Sequence, residues 1–349
     1  MDYPLVSVII LNYNGLKNFR DILEECIRSV LNTDYPNFEV LFVDNASTDE
    51  SVDFIKKKFG GDTRLRIIQN ERNLGFAEGN NIGIKNARGE YIAILNNDTK
   101  VDARWLKELV KVLEDTTIGA AQSKLLQLQN PNLIDCAGGF IDPFGYAHER
   151  GRGQEASKYD KIDEIFYAKG AGLIIKRKIL KHIGYFDPIA FVYYDETDLC
   201  WRVWLNGYKV VYVPTSIVYH AQGSTASKMS EHVLRYFVTR NQLLTLIKNY
   251  NTKNLLKNVA AFFLIESRRA IVLLMKRRLL TCFSIFKSLI WNLTHIKTTL
   301  SKRFTTQRLI RKVSDDKIQK IMVTPYPPFP HSLIFPRSSW PRKNQEKRS

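Results

Sequence analysis

Asn96-Asn97-Asp98-Thr99 follows directly on the apolar run 91–95 and delivers one carboxylate and two amides to a single point of the chain. Oxygen donors of this kind suit Mg2+ or Mn2+, ions that usually arrive with a phosphate-bearing substrate. The plainer reading of the same residues is an Asx turn closing a strand. The run itself, bounded by Gly89-Glu90, predicts a strand buried on both faces of a mostly parallel sheet. The carboxyl edge of such a sheet is where α/β proteins place ligand chemistry.

Several elements must cooperate to build that edge. Residues 6–11 form an apolar run, and Leu16, Leu23, Cys26, Ile27, Val30 and Leu31 recur after it at helical spacing. Residues 40–43 supply the next strand, and residues 65–68, 78–86 and 91–95 repeat strand, helix, strand. This alternation predicts an α/β fold with right-handed crossovers and helices on both faces of the sheet. Asn12, Tyr13 and Asn14 follow the first strand and Asp44 and Asn45 the second, so three strands point polar groups at one edge. Residues 125–165 read as loops and short strand pairs. Beyond them come Gly170-Ala171-Gly172, a strand at 173–175, a helix at 177–182 and Gly184-Tyr-Phe-Asp187. A helix at 197–206 stopped by Gly207 follows, then a strand at 209–213, with His220 past its end.

The 349 residues, 44% of them hydrophobic, suffice for a large core. The net charge of +17 is not spread evenly: residues 241–349 hold 22 Lys and Arg against four acidic residues. Four scattered cysteines without a Cys-x-x-Cys pair suggest neither a zinc site nor a disulfide framework, and a reducing cytosol is expected. The start of the chain lacks the basic and apolar regions of a signal peptide. After Arg240-Asn241, short apolar runs alternate with basic residues, and no run reaches the roughly 18 to 20 residues of a membrane span. Interfacial helices on an anionic lipid surface are expected; an amphipathic pair packed on the main domain is the alternative. Residues 325–349 read as a disordered basic tail. The expected division is therefore 1–245, 246–324 and 325–349.

No Gly-x-Gly-x-x-Gly or Walker A run is present, so phosphate must be handled by other means. Val6-Ser-Val-Ile-Ile-Leu-Asn-Tyr-Asn-Gly15, Val43-Asp-Asn-Ala-Ser-Thr-Asp-Glu-Ser51, Asn73-Leu-Gly-Phe-Ala-Glu-Gly-Asn-Asn81 and Ile94-Leu-Asn-Asn-Asp-Thr99 resemble the successive signatures of family 2 glycosyltransferases of the GT-A fold. The rhamnosyltransferase-like branch is the nearest, because Gly184-Tyr-Phe-Asp187, Tyr194-Asp-Glu-Thr-Asp-Leu-Cys-Trp-Arg202 and His220 follow in its order. The resemblance spans about residues 5–245. It implies a GT-A fold, with a Rossmann-like, mostly parallel sheet flanked by helices, carrying the C-terminal amphipathic helical region.

The same resemblance assigns roles. Asp44 would accept hydrogen bonds from the base or ribose of a nucleotide, with Asn12, Asn45, Asn73 and Asn97 around it. Asp98 would hold Mg2+ or Mn2+ on the donor diphosphate, with Asn96 standing where the family has a first aspartate, and His220 would approach from the C-terminal side. Glu196 falls at the position of the catalytic base, Asp195 remains the alternative because the two acids stand in reversed order, and Asp198 is expected to pair with Arg202. Gly170, Ala171 and Gly172 would form a small-residue turn beside phosphate and acceptor.

The implied activity is inverting transfer of a sugar, possibly rhamnose, from a nucleoside diphosphate donor to a hydroxyl of a glycan or lipid-linked glycan, peripheral on the cytoplasmic face of the membrane and with no nucleic acid as partner. The rival readings are a nucleotidyltransferase, or a basic membrane- or nucleic-acid-binding protein carrying an inactive nucleotide-sugar-binding domain.

Overall fold

The computed structural model describes residues 3–221 and 229–324. The loop around Gly223 and the tail 325–349 lie outside the described residues. The N-terminal half alternates as its apolar periodicity dictates: β1 (Val6–Asn12), α1 (Gly15–Leu31), β2 (Phe38–Asp44), α2 (Ser51–Phe59), β3 (Leu65–Gln69), α3 (Gly75–Asn86) and β4 (Tyr91–Asn96). These four strands run parallel in the order β3-β2-β1-β4. Side chains alternate across the pleat, so Ile9, Leu41 and Val43 face one core and Val8, Ile10, Val40 and Phe42 the other. β1, β2 and β4 are therefore mostly apolar and buried on both faces, while β3 at the edge is half-buried. In this register Asn12 lies opposite Asp44 and Leu11 opposite Asn96, which lines up the three polar strand ends.

The second half extends the sheet with mixed polarity. The strands are β5 (Thr99–Val101), β6 (Ile118–Gln127), β7 (Ile134–Cys136), β8 (Gly139–Ile141), β9 (Ala147–Glu149), β10 (Asp163–Glu164), β11 (Leu173–Lys176) and β12 (Lys209–His220). The helices among them are α4 (Trp105–Leu113), α5 (Arg177–Ile183) and α6 (Asp195–Leu205). β11 runs antiparallel to both β4 and β6, while β12 is parallel to β6. Two sequence expectations change here. His220 does not sit beyond a strand ending at 213: β12 continues through Pro214 by a register shift between Val213 and Ile217, and His220 is its last residue. Proline is tolerated at such an irregularity because no ladder hydrogen bond is asked of it there. The segment 125–165 holds the expected short strands, with β8 paired to β9, but its loops are tightly packed, with Ile134, Cys136, Ile141 and Ile165 fully buried.

The chain then becomes helical: α7 (Glu231–Asn249), α8 (Thr252–Met275), α9 (Leu279–Thr294), α10 (Ile296–Thr305), a π-helical turn (Thr306–Ile310) and α11 (Asp315–Gln319). α7 runs through the expected boundary at 245. The chain end returns to the main core, where Ile310, Ile318 and Val323 are buried and the Val323 N–H donates to the Ile141 carbonyl at 3.0 Å. Residues 246–324 thus share the core of the sheet domain rather than forming a detached unit. Among the described residues no single helix is long and apolar enough to cross a membrane.

Candidate active site

At the end of β1 the Asn12 side chain ties neighbouring elements together. Its Nδ2 donates to Asp44 Oδ1 at 2.9 Å and its Oδ1 accepts from Asn97 Nδ2 at 2.7 Å. Ser47 secures the other side of Asp44, its hydroxyl donating to Oδ1 at 2.6 Å and its N–H to Oδ2 at 2.9 Å. Any side chain at position 15 would collide with Asn12 Oδ1 and Asn97 Nδ2, so glycine is required where α1 begins over this pair. Asp44 is buried, yet a carboxylate has lone pairs beyond those used here and can accept further donors.

Asn45 and Asn73 act differently. Asn45 Nδ2 donates to Asn73 Oδ1 at 2.9 Å and to the Gly75 carbonyl at 3.1 Å, while its Oδ1 accepts from Asn70 Nδ2 and the Leu74 N–H. Both residues hold the 70–75 loop in shape. Gly75, at φ 76°, then lets the Phe76 N–H reach the Phe191 carbonyl at 2.6 Å.

Asp98 lies in the turn between β4 and β5. The antiparallel pairing of Thr99 with His220 brings the end of β12 alongside that turn, and His220 Nε2 stands 3.3 Å from Asp98 Oδ1. The other ring nitrogen, Nδ1, is 2.8 Å from Asp135 Oδ2. Burial alone would lower the pKa of this imidazole, but the hydrogen bonds to Asp135 and Asp98 outweigh it and hold it at about 9. Asp135, though buried, is kept well below the usual carboxylate range by Lys169 and His220. Lys169 itself bonds Glu149 at 2.8 Å. Sequence reasoning passed over Asp135 and Lys169: one sits in the three-residue strand β7, too short to show a pattern, and the other precedes Gly170 with no partner nearby in sequence.

Among the described residues no three His, Cys, Asp or Glu side chains converge as a complete metal site. Asp98 could supply a hard carboxylate and His220, once a bound ion displaces the Nε2 proton, an imidazole nitrogen to a site finished by substrate. The opposite nitrogen of His220 is already fixed by a carboxylate, the usual support of a metal-bound histidine. These residues fit a divalent ion that takes its remaining ligands from phosphate and water.

The acid pair opens α6. Phe191, Tyr193 and Tyr194 adopt left-handed conformations, with φ of 66°, 67° and 64°. Asn241 on α7 braces this bend by donating to the carbonyls of Ala190, Val192 and Tyr193. Glu196 is half-buried, and its Oε1 accepts the Gly170 N–H at 3.0 Å. A Cβ at position 170 would stand 2.5 Å from Phe76 Cζ and 3.0 Å from that same Oε1, which accounts for the glycine. Asp195 is 1% exposed, and its Oδ1 has no hydrogen-bond partner. Burial raises the pKa of both acids; for Glu196 the charge of Lys169 works the other way.

Asp198 is structural, as expected. It accepts from Arg202 Nε and Nη2 at 3.1 and 2.9 Å, from Lys248 and from Asn249. Lys248 also pairs with Asp187 at 2.7 Å, and Lys302 from α10 reaches Asp187 as well. Arg202 donates to the carbonyls of Ile183, Gly184 and Tyr185. The Gly184-Tyr-Phe-Asp187 string is thereby locked to the helix that carries the acid pair.

A half-parallel, half-mixed sheet with its polar groups on one edge, joined by an acid pair on a neighbouring helix, defines the GT-A class of fold. The chain belongs to glycosyl transferase family 2, whose family model matches residues 7–184. It is 38% identical over 112 residues to the putative teichuronic acid biosynthesis glycosyltransferase TuaG of Bacillus subtilis, covering 32% of this chain and 41% of TuaG. With an uncharacterised glycosyltransferase of Methanocaldococcus jannaschii it shares 29% identity over 214 residues, 60% of this chain and 68% of the relative. The mannosyltransferase PcManGT of Pyrobaculum calidifontis, solved in complex with GDP-Man and Mn2+, has the same fold with a TM-score of 0.53 at 20% identity, over 84% of this chain and 88% of that one. The chain spans 25%, 38% and 41% of the length of the first three curated relatives it matches.

Proposed function

We propose that this chain is a metal-assisted, inverting glycosyltransferase that moves a hexose from a nucleoside diphosphate donor to a hydroxyl of a glycan or lipid-linked glycan. The observation that carries the reading is the pairing of Asp98 with His220 on the sheet edge where Asn12 and Asp44 end. The GDP-Man and Mn2+ held by PcManGT support a sugar nucleotide and a divalent ion as the ligands of that edge, and the name of TuaG supports a cell-surface polysaccharide as the product class. The resemblance to the rhamnosyltransferase-like branch favours rhamnose as the sugar.

In this reading Asp44 and Asn12 receive the nucleoside, and Asn97, bonded to Asn12, stands between nucleoside and diphosphate. Asp98 and His220 would hold Mg2+ or Mn2+, and the bound ion would supply positive charge to offset that of the departing diphosphate. Glu196 accepts the proton of the acceptor hydroxyl as that oxygen attacks the anomeric carbon from the face opposite the leaving group, so configuration inverts in a single displacement. Burial, by raising the affinity of Glu196 for a proton, suits it to this task. The Gly170 N–H fixes one of its oxygens toward the buried small-residue turn. Glu196→Gln tests the assignment: transfer should be lost with nucleoside diphosphate binding retained. Undiminished transfer in that variant would overturn the base role.

A further inference from the structure

Apolar side chains of the C-terminal helices face the wrong way for water. Of the large apolar residues exposed among the described residues, all but Tyr13 and Ile162 lie between Leu256 and Leu309. On α9, Leu279, Phe283, Phe286, Ile290 and Leu293 recur every three or four residues and form one exposed stripe. The opposite face, turned to the protein, carries Thr281, Ser284, Ser288 and Asn292, all buried. Ser288 donates to the Tyr236 carbonyl at 2.8 Å and Asn292 to that of Arg240 at 3.0 Å, so these polar residues are consumed in gluing α9 to α7. α8 likewise exposes Leu264, Ile271 and Met275 while its buried face takes Asn258 and Glu266 beside Phe262, Ala270 and Leu273. Burying one Leu, Ile or Phe is worth about 1.5–3 kcal/mol, and a contiguous stripe of them marks a contact surface.

Charge identifies the contact. Residues 246–310 hold 13 Lys and Arg and a single acid, Glu266, which is buried and paired with Arg269. Three of the cations, Lys276, Arg277 and Arg278, form the link between the exposed ends of α8 and α9, next to Met275 and Leu279. Long basic side chains around an apolar stripe are what an anionic lipid interface takes, the stems lying in the acyl boundary and the charges among headgroups. α9, 16 residues and hence about 24 Å long, is shorter than the roughly 30 Å hydrocarbon layer, and it meets the following helical stretch at 65°. The two stretches together reach the length and apolarity of a bent span, but the polar face of α9 is bonded to α7, which holds it flat against the protein with its apolar stripe outward. We propose that the outer faces of α8 and α9 dock this protein in the plane of an anionic membrane, a binding surface independent of the transfer chemistry.

The test is co-sedimentation of the full chain with phosphatidylcholine vesicles and with vesicles containing about one-third phosphatidylglycerol, at low and high salt, for wild type and for Phe283→Ser/Ile290→Ser. Both substitutions are on the exposed face, so the melting temperature without vesicles should be unchanged, and nucleotide binding gives a second check on folding. Wild type should sediment with the anionic vesicles, less so at high salt, and the double variant should lose roughly tenfold or more in partitioning. The proposal is overturned if wild type stays in the supernatant with both vesicle types, or if the double variant partitions as wild type does. It is equally overturned if light scattering shows a dimer that the double variant converts to monomer with no vesicle binding in either, since the stripe would then be covered by a second copy.

Discussion

His220 Nδ1 and Asp135 Oδ2 stand 2.8 Å apart, and that contact turns the other ring nitrogen toward Asp98 at 3.3 Å. One residue from the short strand β7 therefore orients the imidazole at the end of β12. Removing Asp135 leaves both proposed ligands in place but frees the ring to rotate. Asp135→Asn should weaken Mn2+ binding about 10–100-fold with smaller loss of fold, whereas Asp98→Ala should abolish it. Mn2+ titration followed by calorimetry separates the two.

Asp195 and Asp198 lie one helical turn apart and should respond oppositely to neutralisation. Asp198 is buried among Arg202, Lys248 and Asn249, and Asp198→Ala leaves Lys248 with Asp187 alone and Arg202 with backbone carbonyls only; a loss of about 2–4 kcal/mol follows. Asp195 is buried with an unpartnered oxygen, and its folded pKa lies above its unfolded one. Its ionised form thus costs stability once pH exceeds the unfolded value, and Asp195→Asn should melt no lower than wild type at neutral pH. Thermal melts from acid to neutral pH check the sign: the variant's advantage should shrink as pH falls.

Activity should show an acid limb set by Glu196. The base must be unprotonated, burial raises its pKa, and kcat/KM should fall as pH drops through a value above the ordinary glutamate range. The charge of Lys169 holds that value down, so Lys169→Gln should move the limb to higher pH. A pH profile of kcat/KM reads the shift, which a purely structural role for Lys169 would not produce.

Gly170→Ala places a methyl group between Phe76 and Glu196. Displacing a proton acceptor by a fraction of an ångström to one ångström costs on the order of 100-fold in rate. The variant should keep diphosphate binding and lose kcat, measured by steady-state kinetics beside nucleotide titration.

The parallel half of the fold could be read from sequence because β1, β2 and β4 are mostly apolar runs closed by Asn12, Asp44 and Asn96, and position in such a sheet fixes where those ends lie. The Asp98–His220 pairing depended instead on β12 passing Pro214, which sequence reading took as a strand end. Asp135 was hidden because nothing local distinguishes it from any turn aspartate; its role comes from a contact 85 residues away in the chain. Asn45 and Asn73, which the resemblance assigned to the nucleotide, are bonded to one another and to the 70–75 loop instead. The basic, apolar alternation beyond residue 245 was visible, whereas the inversion that buries Ser288 and Asn292 and exposes Phe283 and Ile290 required knowing which face α7 covers.

Thermal stabilisation by UDP, GDP, dTDP and CDP, each with Mn2+ or with EDTA, tests the donor site most directly in wild type and Asp98→Ala. A ligand that binds only the folded state must raise the melting temperature. The account predicts a Mn2+-dependent rise with at least one diphosphate that EDTA removes and Asp98→Ala abolishes. Folded wild-type protein whose melting temperature no nucleotide moves would contradict it.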